Sequence, residues 1–163
     1  MTPSLVLAST SPRRKELLQQ IGVKFTQLSM DINEDVAEAE SAEHYVLRLA
    51  KEKSAAGFEL LSAAEKTTRI VLAADTTVVC EGNILAKPET LEHSKEILRQ
   101  LSGREHLVMS AIGIHSQDRA LQEVVTTKVK FRKISDAEIE AYWQSGEPQD
   151  KAGSYGIQGL GAV

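Results

Sequence analysis

The chain has 163 residues and a mass of 17.8 kDa, the length of one domain, or of one domain with two lobes, and enough to bury a core without disulfides. Hydrophobic residues make up 42% and charged residues 26% of it, which excludes wholesale disorder and fibrous architectures. A net charge of −4 argues against a general nucleic-acid binder, which needs a basic footprint, while leaving room for a local basic pocket.

Residues 4–8 (SLVLA) read as a buried strand. The run from Met1 to Ala8 lacks a basic leading region and reads as a first strand rather than a signal peptide. Ser11 suits an N-cap and Pro12 a first helical position. The helix that follows puts Leu17, Leu18 and Ile21 on one face and stops at Gly22. Residues 23–30 alternate as a strand, and Asp31 to Glu40 form an acidic loop. Ser41 opens a helix over 41–60 with Val46, Leu49 and Ala50 on its apolar stripe, weakened near its end by Gly57. Residues 69–79 form a strand, Glu81-Gly82-Asn83 a turn, and Ile84-Leu85-Ala86 a return strand ended by Lys87-Pro88. A helix at 90–102 closes at Gly103, and two long strands at 105–116 and 120–134 flank a turn at Gln117-Asp118. Ser135 and Glu138 form a capping box opening a helix to Ser145. The tail, 153–161, is glycine-rich. Alternating strands and helices with a central pair of long strands imply a mixed sheet.

Four segments could carry chemistry. Ser9-Thr10-Ser11-Pro12-Arg13-Arg14 lies between a strand and a helix start. Open backbone N–H groups and the helix dipole favour an anion there. The hydroxyls and the two guanidiniums add phosphate contacts. The same segment also fits a well-capped helix with solvated arginines. Asp75 sits in an apolar strand, where a carboxylate is costly unless paired, metal-bound or at a strand end. Such a group can bind a divalent ion or take a proton from water, and it can equally pair with an arginine for structure. Lys87 follows the return strand, which could bring it back towards Asp75, and it also fits an ordinary surface lysine. The tail pattern GxxGxxGxG lets backbone approach a ligand closely, or forms a flexible loop. Glu34, Asp35, Lys51 and Lys53 read as solvated charges.

The other residues are bland. Cys80 is the single cysteine, which excludes an internal disulfide and a CxxC metal site, fits a reducing, cytoplasmic setting, and reads as a small core residue. His44, His93, His106 and His115 are scattered without ligand spacing, and Tyr142 and Trp143 read as packing residues. No apolar run approaches a membrane span.

Taken together, Leu7-Ala8-Ser9-Thr10-Ser11-Pro12-Arg13-Arg14, Ala74-Asp75-Thr76-Thr77, Lys87-Pro88, Leu101-Ser102-Gly103 and Asp150-Lys151-Ala152-Gly153-Ser154-Tyr155-Gly156-Ile157-Gln158-Gly159 resemble the Maf family of nucleoside-triphosphate pyrophosphatases. The resemblance covers essentially the whole chain. It implies an α/β fold, Maf/ITPase-like, with a mixed twisted sheet flanked by helices in two lobes around a cleft. It implies a single domain over 1–163 that lacks the strand and helix with which family members usually continue. The implied reaction splits a nucleoside triphosphate between its α and β phosphates with a divalent cation, Mg²⁺ or Mn²⁺. Asp75 matches the proton acceptor, Glu34 an acidic position that helps hold metal or water alongside Asp75, and Ser9, Arg13, Arg14, Lys53 and Lys87 match polar or basic cleft positions.

Arg13, Thr76 and Gln158 match the specificity positions of the branch acting on dTTP and UTP, rather than the branch acting on 7-methyl-GTP. A carboxamide at 158 offers both donor and acceptor to a pyrimidine edge. The resemblance further implies a house-cleaning role on modified pyrimidine nucleotides and a homodimer, while the net charge of −4 and the lack of a membrane-length apolar run argue against nucleic-acid and membrane partners. Its association with septum formation leaves a non-catalytic regulator, binding nucleotide or protein, as the alternative.

Overall fold

A computed structural model describes residues 4–163; Met1, Thr2 and Pro3, read together with the first strand, lie outside the described residues. The elements run β1 (Ser4–Ala8), α1 (Pro12–Gln20), β2 (Phe25–Leu28), α2 (Ala42–Glu59), α3 (Ala63–Lys66), β3 (Arg69–Cys80), β4 (Asn83–Leu85), α4 (Leu91–Leu101), β5 (Glu105–His115), β6 (Ala120–Lys130) and α5 (Asp136–Gln144), followed by three short 3₁₀ turns. The strands form a six-stranded sheet in the order β2-β1-β3-β5-β6, with β4 on β3. β1 is parallel to both β2 and β3, and β4 is antiparallel to β3, so the sheet is mixed as expected.

The chain divides into two compact units, residues 1–75 with 110–125, and residues 76–109 with 126–163. In the first unit, Val6, Ala8, Phe58, Val71 and Ala73 form the core. α2 lies close to the sheet because two glycines leave room for it. A Cβ on Gly57 would stand 3.0 Å from both the Ala8 Cβ and a Val71 methyl, and a Cβ on Gly113 of β5 would fall 2.6 Å from the Ala50 carbonyl carbon. Gly57 is therefore the seat of the helix, not the weak end that its low helix propensity suggests.

In the second unit, Val78, Cys80, Leu85, Ile97, Leu98, Leu101, Ile139 and Tyr155 form the core. Cys80 is a core residue there, as read from sequence. The Ser135–Glu138 capping box forms with both of its bonds, and Thr90 caps α4. Three local readings needed correction. The four-residue helix α3 was missed, although Ser62 and Glu65 make a complete capping box. β6 ends at Lys130, short of the expected 134. The apolar face of α1 is not core, since no residue of that helix is buried and Ile21 is 73% exposed.

Candidate functional site in the first unit

The site grows from the C-terminal end of a parallel strand. β1 pairs with β3 from Ser4↔Arg69 to Leu7↔Leu72 and then stops at Ala8, while β3 runs on to Cys80. Asp75 therefore lies beyond the end of its neighbour, where open α/β sheets bind ligands. It shares the pleat face of Val71 and Ala73 by period-2 alternation, and all three are buried.

Lys53 makes that burial possible. Its Nζ donates to Asp75 Oδ1 at 2.7 Å and also pairs with Glu34 Oε1 at 2.6 Å. Lys53 lies on the buried stripe of α2, between Ala50 and Gly57, and its side chain is 13% exposed. It is not the solvated charge that its isolated position suggests. A cation at that turn of an otherwise apolar stripe was the available signal.

The loop carrying Glu34 is tied to α2. Tyr45 donates from its hydroxyl to the Glu34 carbonyl at 2.9 Å, and Arg48 donates to the Asp35 carbonyl at 2.9 Å. Arg48 also grips Glu40 through Nε and Nη2, at 2.7 and 2.9 Å. That bidentate bond, with a further one from the Ala37 N–H, holds the Glu40 carboxyl down to about 2. Burial, then Asp75 and Glu34, push the Tyr45 phenol up. Tyr45 and Arg48 were not singled out from sequence; their i, i+3 spacing on the face toward the acidic loop is the only local hint.

The hydroxyl-arginine loop closes differently from expectation. Ser11 takes the extended N-cap backbone conformation and Pro12 holds the first helical position, but the Ser11 side chain makes no capping bond. Ser9 closes the loop instead. Its Oγ accepts from the Ser11 N–H and from Arg14 Nη1, both at 3.2 Å, and its carbonyl accepts from Gln27 Nε2 at 2.6 Å. Without a Ser11 cap, the first turn of α1 keeps its donors for an anion.

Burial lowers the Arg14 pKa most, and Arg13 acts in the same direction, while Asp75 and Glu34 oppose both. The guanidinium remains a cation and is electrostatically joined to the two carboxylates. Ser9, Arg14, Glu34, Lys53 and Asp75 are thus linked in the first unit, with Arg13 joined to them only through its charge beside Arg14. Thr76 and Lys87 are exposed residues of the second unit, at its first position on β3 and just past β4, and Gln158 is exposed on the tail loop of that same unit.

Part of this set fits a divalent cation by its donor chemistry. Asp75 and Glu34 offer hard carboxylate oxygens, and in the structure both turn to one positive centre, the Lys53 ammonium. Two carboxylates fit Mg²⁺ or Mn²⁺ when phosphate oxygens and water complete the shell. They do not make an all-protein cage: no group of three or more His, Cys, Asp or Glu able to hold a metal occurs among the described residues. Nor is any helix among the described residues long and apolar enough to cross a membrane.

The dTTP/UTP pyrophosphatase of Vibrio vulnificus is 53% identical over 157 residues, covering 96% of this chain and 82% of its own. The protein of the same name from Colwellia psychrerythraea is 51% identical over 156 residues, covering 96% and 74%. Among solved structures, the Ham1 protein of Staphylococcus aureus aligns with a TM-score of 0.44 and 16% identity over 82% of this chain and 72% of that one. The profile of the Maf family, described as Maf-like protein, matches residues 4–163; with relatives at this identity over nearly the whole sequence, the chain belongs to the Maf family.

Proposed function

We propose that this chain is a nucleoside triphosphate pyrophosphatase that converts dTTP and UTP to the monophosphate and pyrophosphate. The observation that carries the reading is Lys53, held between Asp75 and Glu34 on the element order that also brings in Arg14. A buried carboxylate fixed by a lysine, beside an arginine-rich helix start, suits attack of water on a phosphate.

In the reaction, a water oxygen bonds to the α-phosphorus and the bond from that phosphorus to the α–β bridging oxygen breaks. Asp75 accepts the water proton through an oxygen that Lys53 does not occupy. Lys53 keeps the carboxylate oriented. Arg13, Arg14 and Ser9 bind phosphate oxygens and offset the negative charge that grows on the leaving pyrophosphate. A divalent cation held by Asp75 and Glu34 supplies Lewis acidity towards the phosphates when bound. Lys87, Thr76 and Gln158 take their roles from the family pattern: Lys87 as a further cation, Thr76 and Gln158 with Arg13 as selectors of the base. We place the enzyme in the cytoplasm, as its single-cysteine composition suits. The paired Lys53 and Asp75 favour turnover over a purely regulatory role, since a nucleotide-binding regulator needs no buried proton acceptor.

The test is pyrophosphate release with Mg²⁺ or Mn²⁺ from dTTP, UTP, CTP, GTP and 7-methyl-GTP, with Asp75→Asn in parallel. Release from dTTP and UTP that Asp75→Asn abolishes, while dTTP binding persists, is the expected result. Near-normal turnover by Asp75→Asn would remove it as the proton acceptor. Silence of the folded parent chain on every nucleotide would move the reading to the regulator.

A further inference from the structure

The glycine-rich tail is folded around a single carboxylate. Glu147 follows α5 and points back into the loop 156–161. Its Oε1 accepts from the Tyr142 hydroxyl at 2.7 Å and from the Gly161 N–H at 3.1 Å, and its Oε2 accepts from the Leu160 N–H at 2.9 Å. The same Tyr142 oxygen accepts from the Gly156 N–H at 3.1 Å. Lys151 donates from Nζ to the Glu147 carbonyl at 2.5 Å, so the clamp residue is itself tethered.

The glycines record this arrangement. A Cβ on Gly159 would land on the Glu147 carboxylate, and one on Gly161 would stand 2.6 Å from the Tyr142 hydroxyl. A Cβ on Gly156 would stand 2.8 Å from the Lys151 Cε. Here the small residues serve close approach by the protein's own side chains, where their spacing alone left a ligand approach or a flexible loop open. Apolar burial does not hold the loop, because Ile157 is 68% and Leu160 59% exposed. Its hydrogen bonds do. At its apex stands Gln158, exposed.

We propose that Glu147 is a positioning residue for nucleotide selectivity: with Tyr142 it closes the loop 156–161 and so fixes where Gln158 meets the base. This rests on the function proposed above, in which Gln158 selects the base. An ionised carboxylate is needed because all three partners are donors and a carboxylate only accepts. Burial pushes the Glu147 carboxyl up, but the bonds from Tyr142, Leu160 and Gly161 outweigh it and hold it below the ordinary carboxylate value. A glutamine at 147 must turn an N–H towards one of the donors.

The test uses the full chain with Glu147→Gln and, as a milder second variant, Tyr142→Phe. Four quantities are read: kcat and KM for dTTP, the inhibition constant of inorganic tripolyphosphate, the exchange of loop amides, and Tm as a check of folding. Tripolyphosphate probes phosphate binding without a base. In Glu147→Gln, KM for dTTP should rise about tenfold with kcat little changed, the size expected for one lost hydrogen bond to a charged group. The preference for dTTP over CTP and GTP should narrow, the tripolyphosphate constant should hold, and the Leu160 and Gly161 amides should exchange faster. Tyr142→Phe should move KM the same way by less and free the Gly156 amide. The proposal is overturned if dTTP and tripolyphosphate weaken together, or if the loop amides exchange as in the parent. Failure of the parent chain to cleave dTTP and UTP would instead overturn the functional reading, with the exchange measurement still deciding whether the clamp exists.

Discussion

Lys53 should be coupled to Asp75 by an energy large enough to read in unfolding experiments. The Asp75 side chain is 11% exposed and that of Lys53 13%, with 2.7 Å between their charged atoms. Removing one partner of a buried pair costs about 3–5 kcal/mol, because the other is left uncompensated. Two features reduce that here. Glu34 is 45% exposed, so its arm contributes only about 0–1 kcal/mol. Arg14 faces Asp75 and takes over part of the compensation. Lys53→Met, which keeps the stem volume, should therefore lose about 2–3 kcal/mol, equivalent to a Tm lower by about 4–12 °C for a chain of this length. Asp75→Asn should cost about 2 kcal/mol in the parent and almost nothing in the Lys53→Met background, giving a coupling of about 2 kcal/mol, within the range for residues in contact. Urea unfolding of the parent, the two single variants and the double variant measures it. Additivity of the two substitutions within about 0.5 kcal/mol would refute the argument that Lys53 neutralises Asp75.

Two further outcomes follow from other parts of the chain. Gly153→Ala should destabilise by about 2–4 kcal/mol, since φ there is +71° and a Cβ would meet Val78 at 2.7 to 2.9 Å. Val78→Ala should recover part of it by removing the two methyls, and an unchanged Tm for Gly153→Ala would contradict the geometry. Glu40 should titrate near 2 by NMR, because Arg48 and the Ala37 N–H stabilise its ionised form. Its folded pKa is depressed, so the contribution of this bond is complete above the ordinary carboxylate value of 4.5 and is lost as pH falls from there through about 2. Arg48→Met should return the midpoint towards the ordinary value, and a normal midpoint in the parent would mean that Arg48 does not pin the loop of Glu34.

Much of this was legible in the sequence where one signal acted over a short range. The helix starts at Ser41 and Ser135 were visible because a capping side chain reaches its partner within three residues. Asp75 stood out because a charge within an apolar strand is costly wherever the strand goes. The arginine loop was visible by composition, though which serine closes it was not: the choice of Ser9 over Ser11 depends on the direction of Arg14, which periodicity does not encode. Lys53, Tyr45 and Arg48 look alike as helix-surface residues until the close seating of α2 is known, and that seating depends on Gly57 and Gly113, one of them on a distant strand. The tail's own internal clamp was hidden for a related reason. Glycine spacing states that something comes close, not whether it is a ligand or Glu147.

The seating of α2 also bears on how the charge of Lys53 is placed. Gly57 lies four residues beyond it against Ala8 and Val71, and Ala50 lies three residues before it against Gly113. The helix therefore rests on the sheet by close contact on both sides of the lysine. Sliding by one turn, about 5.4 Å, would drive side chains into both contacts at once. The height of the ammonium above the sheet is thus a property of the main chain, with the flexible stem spanning only the last few ångströms. With the side chain 13% exposed and held between two carboxylates, the ammonium sits where the main chain sets it rather than on an open surface.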